Sequence, residues 1–213
     1  MQEVIINYIL ICILCYITGS IPTAYILVKR RYNKDIRLEG TGNVGAMNSF
    51  EVTGSGKAGI FIFLIDFLKG LIPVLILTGV IKLSFALLIL PSVLLIAGHN
   101  YSIFLKFKGG RGLSTAMGVM FTVNILMILF WLIFYFIAHK IKSNVHLASI
   151  AASILYVLPL VFFPGFVNRF TLNNSVTNDQ NFLLFTFCAS ISILILLKHI
   201  DPLQDLLNNK NEK

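Results

Sequence analysis

The chain has 213 residues, of which 57 % are hydrophobic and only 12 % charged, and it carries a net charge of +8. A mean hydropathy of +0.86 excludes an ordinary soluble domain, in which about a quarter of the residues are charged. The composition describes a single membrane domain over residues 1–213, and the excess positive charge between apolar runs reads as an orientation signal. No basic helix or stripe stands apart from the apolar segments, so nucleic acid is not an expected partner.

The N-terminal run, from Met1 to Arg30, lacks a basic leader region and a small-residue cleavage site and is longer than a signal peptide. It is expected to be a first spanning helix, ending on Lys29, Arg30 and Arg31 at the cytoplasmic face, which puts the N-terminus outside. Gly19-Ser20-Ile21-Pro22 interrupts it, either as a kink repaired by neighbouring helices or as a gap lining a site. The loop from Lys29 to Lys57 holds six basic residues and is therefore cytoplasmic. Spans are expected over Ala58–Val80 and Leu83–Leu105, followed by a basic patch, Lys106 to Gly112, back inside.

From Leu113 to Ile137 the chain crosses once or, the preferred reading, twice with a turn near Val123-Asn124. Each of two crossings would be shorter than the about 20 residues a full span needs. Further spans are expected over Leu147–Phe166 and Phe182–Leu197, joined by an outside loop from Asn168 to Asn181. The sum is an all-α polytopic membrane protein of about seven transmembrane helices with a cytoplasmic C-terminus. On this layout every basic residue except Lys69, Lys82 and Arg169 lies inside. Cys12, Cys15 and Cys188 all sit in apolar runs and suggest packing rather than a disulfide framework or a metal site.

Three polar groups interrupt this pattern. Glu39 to Gly59 contains six of the fifteen glycines together with Thr41, Asn43 and Asn48. Gly40-Thr41-Gly42-Asn43-Val44-Gly45 can turn successive N–H groups into one anion-holding concavity, though a flexible connector would look similar. Asp66 and Lys69 lie three apart on one face of a span, where a charge costs about 2.5–3.5 kcal/mol on insertion scales. They either neutralise each other to fix helix packing or support a polar site. Gly98-His99 and then Lys108-Gly109-Gly110-Arg111-Gly112 bracket the third cytoplasmic end. A glycine turn with two cations at a helix start suits phosphate, but would also serve as an anchor to anionic headgroups. No Asp or Glu stands at a spacing that would orient His99, and the motifs of serine hydrolases and zinc proteases are absent.

Taken in order, Gly19-Ser20-Ile21-Pro22, Gly40 to Ala46, Asp66-Phe67-Leu68-Lys69-Gly70, Gly98-His99, Phe107 to Ala116 and Lys198-His199 resemble the bacterial acyl-phosphate:glycerol-3-phosphate acyltransferases, the PlsY family. The resemblance spans nearly the whole chain. It implies a seven-helix enzyme of the cytoplasmic membrane whose site opens to the cytoplasm. Its partners would be acyl phosphate, glycerol 3-phosphate and membrane lipid, its product lysophosphatidic acid, and no cofactor, metal or coenzyme A would be required. By the same resemblance His99, Lys108 and His199 are the candidate catalytic residues. Ser20, Thr41, Gly42, Asn43, Gly45, Asn48, Gly109, Gly110 and Arg111 would bind substrate, with the residues at 41–45 cradling the acyl phosphate.

The chain departs from the family pattern at Thr41, Met47, Glu51, His146 and Pro202, where the family has Ser, Thr, Arg, Ser and Asn. Glu51 is the sharpest departure, since a carboxylate facing a phosphate repels where an arginine attracts. Lys57 or Arg111 could supply the missing cation. A paralogue with an altered acceptor or a regulatory role would explain the same departures, and a small lipid or anion transporter is a third possibility, although no internal repeat supports it.

Overall fold

The computed structural model describes residues 2–171, 178–200 and 202–204, and the described elements are helical. Among the described residues, six segments are long and apolar enough to cross a membrane: Gln2–Tyr32, Gly56–Val80, Phe85–Leu105, Ile125–Lys142, Val145–Phe162 and Gln180–Leu197. The chain divides into two compact units, Met1–Val119 and Met120–Lys213.

In the first unit, α1 (Gln2–Ser20) and α2 (Thr23–Tyr32) are separated by the break at Ile21-Pro22. Proline has no N–H and clashes with the preceding turn, and the carbonyl of Ile21 that the break exposes accepts from Lys69 Nζ at 3.1 Å. α2 ends at Asn33, whose left-handed backbone (φ 53°) stops the helix. A short helix, α3 (Ala46–Thr53), lies inside the stretch expected to be glycine-rich loop. It is bounded by extended Gly45 and by left-handed Gly54, whose N–H donates to the Phe50 carbonyl.

α4 (Gly56–Leu75) runs on into a π-helical turn, Ile76–Val80, just after Pro73. The Ile76 N–H is shared there between the Ile72 and Pro73 carbonyls, the local adjustment an intrahelical proline provokes. α5 (Phe85–Asn100) ends short of the expected Leu105. The chain turns at Tyr101-Ser102 because the Ser102 hydroxyl leaves the helix to bond the Ser20 carbonyl at 2.5 Å. α1 and α5 pack closely. A β-carbon on Gly19 would fall 1.9 Å from the Leu95 carbonyl oxygen, and one on Gly98 would fall 2.2 Å from that of Tyr16. Only glycine permits such backbone contact. α6 (Leu113–Val123) meets α4 in the same way, with Gly70 against the Thr115 carbonyl.

In the second unit, α7 (Ile125–Lys142) begins at Asn124, whose side chain caps it by accepting from the Leu126 and Met127 N–H groups. The helix break expected near Val123-Asn124 is therefore present, and α6 is the short arm, at 11 residues. The expected span over Leu147–Phe166 is divided into α8 (Val145–Leu155), α9 (Leu158–Phe162) and α10 (Pro164–Asn168). Pro159 and Pro164 sit in the first turns of the latter two, where a missing N–H is harmless. α11 (Asn178–Leu197) starts four residues before the expected Phe182. The middle of the expected Asn168–Asn181 loop, and the chain after 204, lie outside the described residues. All three cysteines are buried and free.

Candidate active site

The α1–α5 contact does more than pack two helices, because each glycine is followed by a polar residue. Gly19 precedes Ser20 and Gly98 precedes His99, so the close approach carries both side chains into one small hollow. The same hollow is lined by Thr23 at the start of α2, Asp66 and Lys69 from α4, Val44 from the first glycine-rich loop, and Gly109 and Gly110 from the second.

Its charges are arranged tightly. Asp66 Oδ1 lies 2.9 Å from Lys69 Nζ and 3.8 Å from His99 Nδ1. Both members of the Asp66–Lys69 pair are buried (side chains 2 % and 8 % exposed), where each ion needs its partner to remain charged. The sequence spacing places no acid near His99, whereas the fold brings Asp66 to it from another helix. That partnership was not legible in the chain, because a helix crossing sets it. Thr23 was also missed, and its one signal is its place directly after Pro22.

Two hydroxyls in the hollow, those of Ser20 and Thr23, are buried without any hydrogen-bond partner. Buried hydroxyls are normally paired, and removal from water without a bond costs on the order of 1–3 kcal/mol. Polar atoms left open toward a hollow are what a bound polar ligand would satisfy.

The glycine-rich segments prove to be used differently from a simple nest. Gly109 N–H donates to the Asn100 carbonyl at 3.1 Å and Gly110 N–H to that of His99 at 3.0 Å. Both therefore fasten the turn to the end of α5. A β-carbon on Gly110 would stand 2.2 Å from His99 Nε2 and 2.8 Å from the Val44 carbonyl, so glycine here lets the two loops and the imidazole meet. In the first loop, Gly42 N–H bonds the Glu39 carbonyl and Thr41 N–H bonds Asn48 Oδ1. The buried Asn48 amide also donates to the carbonyls of Ile36, Glu39 and Asn43. That side chain is wholly engaged in shaping the loop, a positioning role. Thr41 is exposed and Asn43 half-buried, and Gly45 is the N-cap of α3, which no side chain caps.

Arg111, half-buried and not among the residues lining the hollow, is held below its ordinary range by burial, while the Glu51 carboxylate opposes that shift by attraction. The residue at the sharpest departure from the family pattern thus faces the candidate replacement cation. Lys108 is exposed and does not line the hollow. On the loop after α2, Asp35 is fastened by Arg37 at 2.6 Å, which lowers its carboxyl to about 2. His199 belongs to the second unit, where its buried Nδ1 lies 2.8 Å from the Ile195 carbonyl and its ring stands 6.0 Å from that of His146.

These features define a multi-pass integral membrane protein with a buried polar hollow. The glycerol-3-phosphate acyltransferase family matches residues 9–209, and the chain belongs to that family. It is 34 % identical over 205 residues to the glycerol-3-phosphate acyltransferase of Streptococcus pneumoniae (strain CGSP14), covering 94 % of this chain and 90 % of that one. To the Staphylococcus aureus (strain JH9) protein of the same name it is 30 % identical over 212 residues, with 96 % of each covered. The crystal structure of PlsY (YgiH), an integral membrane glycerol 3-phosphate acyltransferase, in its glycerol 3-phosphate form matches at 32 % identity and a TM-score of 0.78, covering 95 % of this chain and 93 % of that one. Its lysophosphatidic acid form matches at 30 % and 0.76, with the same coverage.

Proposed function

We propose that this chain transfers a fatty acyl group from an acyl phosphate to the 1-hydroxyl of glycerol 3-phosphate, yielding lysophosphatidic acid and inorganic phosphate. The observation that carries this reading is the hollow itself, with the unanswered Ser20 and Thr23 hydroxyls beside His99, Asp66 and Lys69. Family membership supplies the reaction. In the step, the acceptor oxygen attacks the acyl carbonyl carbon, the bond from that carbon to the phosphate oxygen breaks, and phosphate leaves. A mixed anhydride is already activated, so holding the partners in line supplies much of the acceleration.

His99 takes the proton from the acceptor hydroxyl. Its Nδ1 edge faces the Asp66 carboxylate, which stabilises the imidazolium as it forms. Asp66 is thus a positioning residue, and Lys69 pairs with it while tying it to the α1–α2 break. Ser20 and Thr23 donate to phosphate or acyl oxygens. Thr41, Gly42, Asn43 and Gly45 form the acyl phosphate wall, with Asn48 fixing its shape. Arg111 and Lys108 supply positive charge from the second glycine-rich loop, Gly109 and Gly110 let the walls close, and His199 is the third candidate for the chemistry. The site opens to the cytoplasm of an inner-membrane protein crossing seven times, α6 being the short crossing, N-terminus outside. Support for this orientation is the distribution of lysine and arginine.

The Glu51–Arg111 attraction favours a second reading, in which the carboxylate occupies the seat of an acceptor phosphate and the chain binds acyl phosphate without using glycerol 3-phosphate. Purified protein supplied with acyl phosphate and glycerol 3-phosphate separates the two. Lysophosphatidic acid is expected, and Glu51→Arg should lower the KM for glycerol 3-phosphate. Phosphate release with no lysophosphatidic acid overturns the first reading, and activity gained only in Glu51→Arg establishes the second.

A further inference from the structure

Sharing the Ile21 and Thr23 wall with the hollow, an open groove runs between α2 and α4. Its apolar sides are Ile26 and Leu27 of α2, which lie three and four residues after Thr23 and four before Arg30 and Arg31, and Phe61 and Ile65 of α4, four apart, so each helix presents one face. One end is closed by Ile21 and Thr23, which line the polar hollow as well. At the other end stand Arg30 and Arg31, both exposed, and among the described residues neither is in an ion pair. From Thr23 to Arg30 the helix rises about 10 Å, at ~1.5 Å per residue.

The polarity of this groove is directional. Lys29, Arg30 and Arg31 crowd the last turn of α2, and basic residues beside an apolar surface mark the headgroup level of a membrane. From there the groove descends along purely apolar side chains toward the helix break. Phe61, near the loop end of α4, comes before Ile65, and Ile65 precedes the Asp66–Lys69 pair that contacts Ile21. A lipid in its normal orientation, phosphate outward and chain inward, matches that order of charge and apolar wall. A soluble anion has no use for the wall, and a neutral lipid has no use for the two arginines.

We infer that the α2–α4 groove binds an anionic phospholipid of the surrounding leaflet, with its phosphate on Arg30 and Arg31 and one acyl chain against Ile26, Leu27, Phe61 and Ile65. The chain ends on the wall shared with the hollow, so occupancy stiffens the Ile21–Thr23 break that carries Ser20 and Thr23. The site lies outside the reaction hollow and does not depend on which acceptor is used there.

The test reconstitutes the full chain in phosphatidylcholine nanodiscs containing a small fraction of phosphatidylglycerol with brominated chains. Phe61→Trp, read as the fluorescence difference from the parent, reports chain contact. Saturable quenching is expected with brominated phosphatidylglycerol and much less with brominated phosphatidylcholine at equal fraction. Arg30→Gln with Arg31→Gln should weaken the phosphatidylglycerol preference about thirtyfold, since a basic residue at the surface gains about fivefold in anionic-lipid binding. Equal quenching by the two lipids, or a preference unchanged in the double variant, overturns the proposal. Should Phe61→Trp fail to fold, phosphatidylglycerol retained through purification, measured by native mass spectrometry of the parent and the double variant, gives the same decision. Lipid retained equally by both overturns the site.

Discussion

The two units of the molecule use the same residue types at helix contacts to opposite ends. In the second unit the buried hydroxyls are answered. Ser153 Oγ accepts from Trp131 Nε1 at 3.0 Å, the Ser153 carbonyl accepts from Ser192 Oγ at 2.7 Å, and Tyr156 donates to the Cys188 carbonyl at 2.7 Å. Asn124 likewise reaches the Val167 carbonyl and the Thr171 hydroxyl. In the first unit the Ser102 hydroxyl also links helices, but the α1–α5 contact is made by glycines whose backbones touch directly, and Ser20 and Thr23 are left unanswered. Ser92 and Thr115 are also unanswered there, away from the hollow, and nothing in the structure explains them. A buried hydroxyl with a partner holds helices together, whereas one that faces a hollow without a partner is available to a ligand. Where a polar residue stands within an apolar helix is therefore a poorer guide to function than whether its hydrogen bonds are complete.

The comparison breaks most visibly at His99. If the first unit holds the chemistry, His99→Gln should lower kcat by ~10²–10⁴-fold, the range of a general base, with thermal stability near that of the parent. Quantified lysophosphatidic acid formation checks this, and an unchanged kcat would remove the imidazole from the mechanism. Next in size is the glycine contact that seats it. Gly98→Ala puts a methyl group against the Tyr16 carbonyl and the Ser20 N–H. Both are backbone and cannot turn away, so a loss of about 1–3 kcal/mol is expected. Gly165 has open space around it, and Gly165→Ala should stay within about 0.5 kcal/mol. Equal melting shifts for the two would show that the α1–α5 approach is not as tight as drawn.

The apolar runs, their breaks and their order could be read from the chain because hydropathy and helix-breaking residues act locally. The turn at Asn124 and the interruption at Pro22 are both of this kind. The family could be read too, since each short motif keeps its place in the order. What escaped were contacts between elements far apart in sequence. Asp66 reaches His99 across a helix crossing, and Asn48 gathers four backbone groups of a loop whose path the sequence does not describe. The glycine turn at 109–110 looked like a phosphate cradle because its composition is the same as one. Its N–H groups turn inward to the end of α5 instead, and composition cannot reveal which carbonyl lies nearby. Helix α3 was missed for a related reason, since two glycines that mark a loop also serve as the boundaries of a short helix.

The smallest expected effects separate the two units best, because the same substitution in each unit should move different quantities. Ser192→Ala removes a donor and leaves the Ser153 carbonyl short of a bond, so stability should fall by about 1 kcal/mol while kcat and KM are unchanged. Ser20→Ala removes a hydroxyl that has no partner in the folded protein, so stability should hold or rise. Substrate binding should instead weaken, by roughly fivefold in KM if one hydrogen bond of about 1 kcal/mol is lost. Paired melting and kinetic measurements on the two variants give a crossed result if hydroxyl satisfaction divides structure from function. A Ser20→Ala protein that melts early with normal KM would place Ser20 with the helix-packing hydroxyls of the second unit, and the ligand-facing role would pass to Thr23 alone.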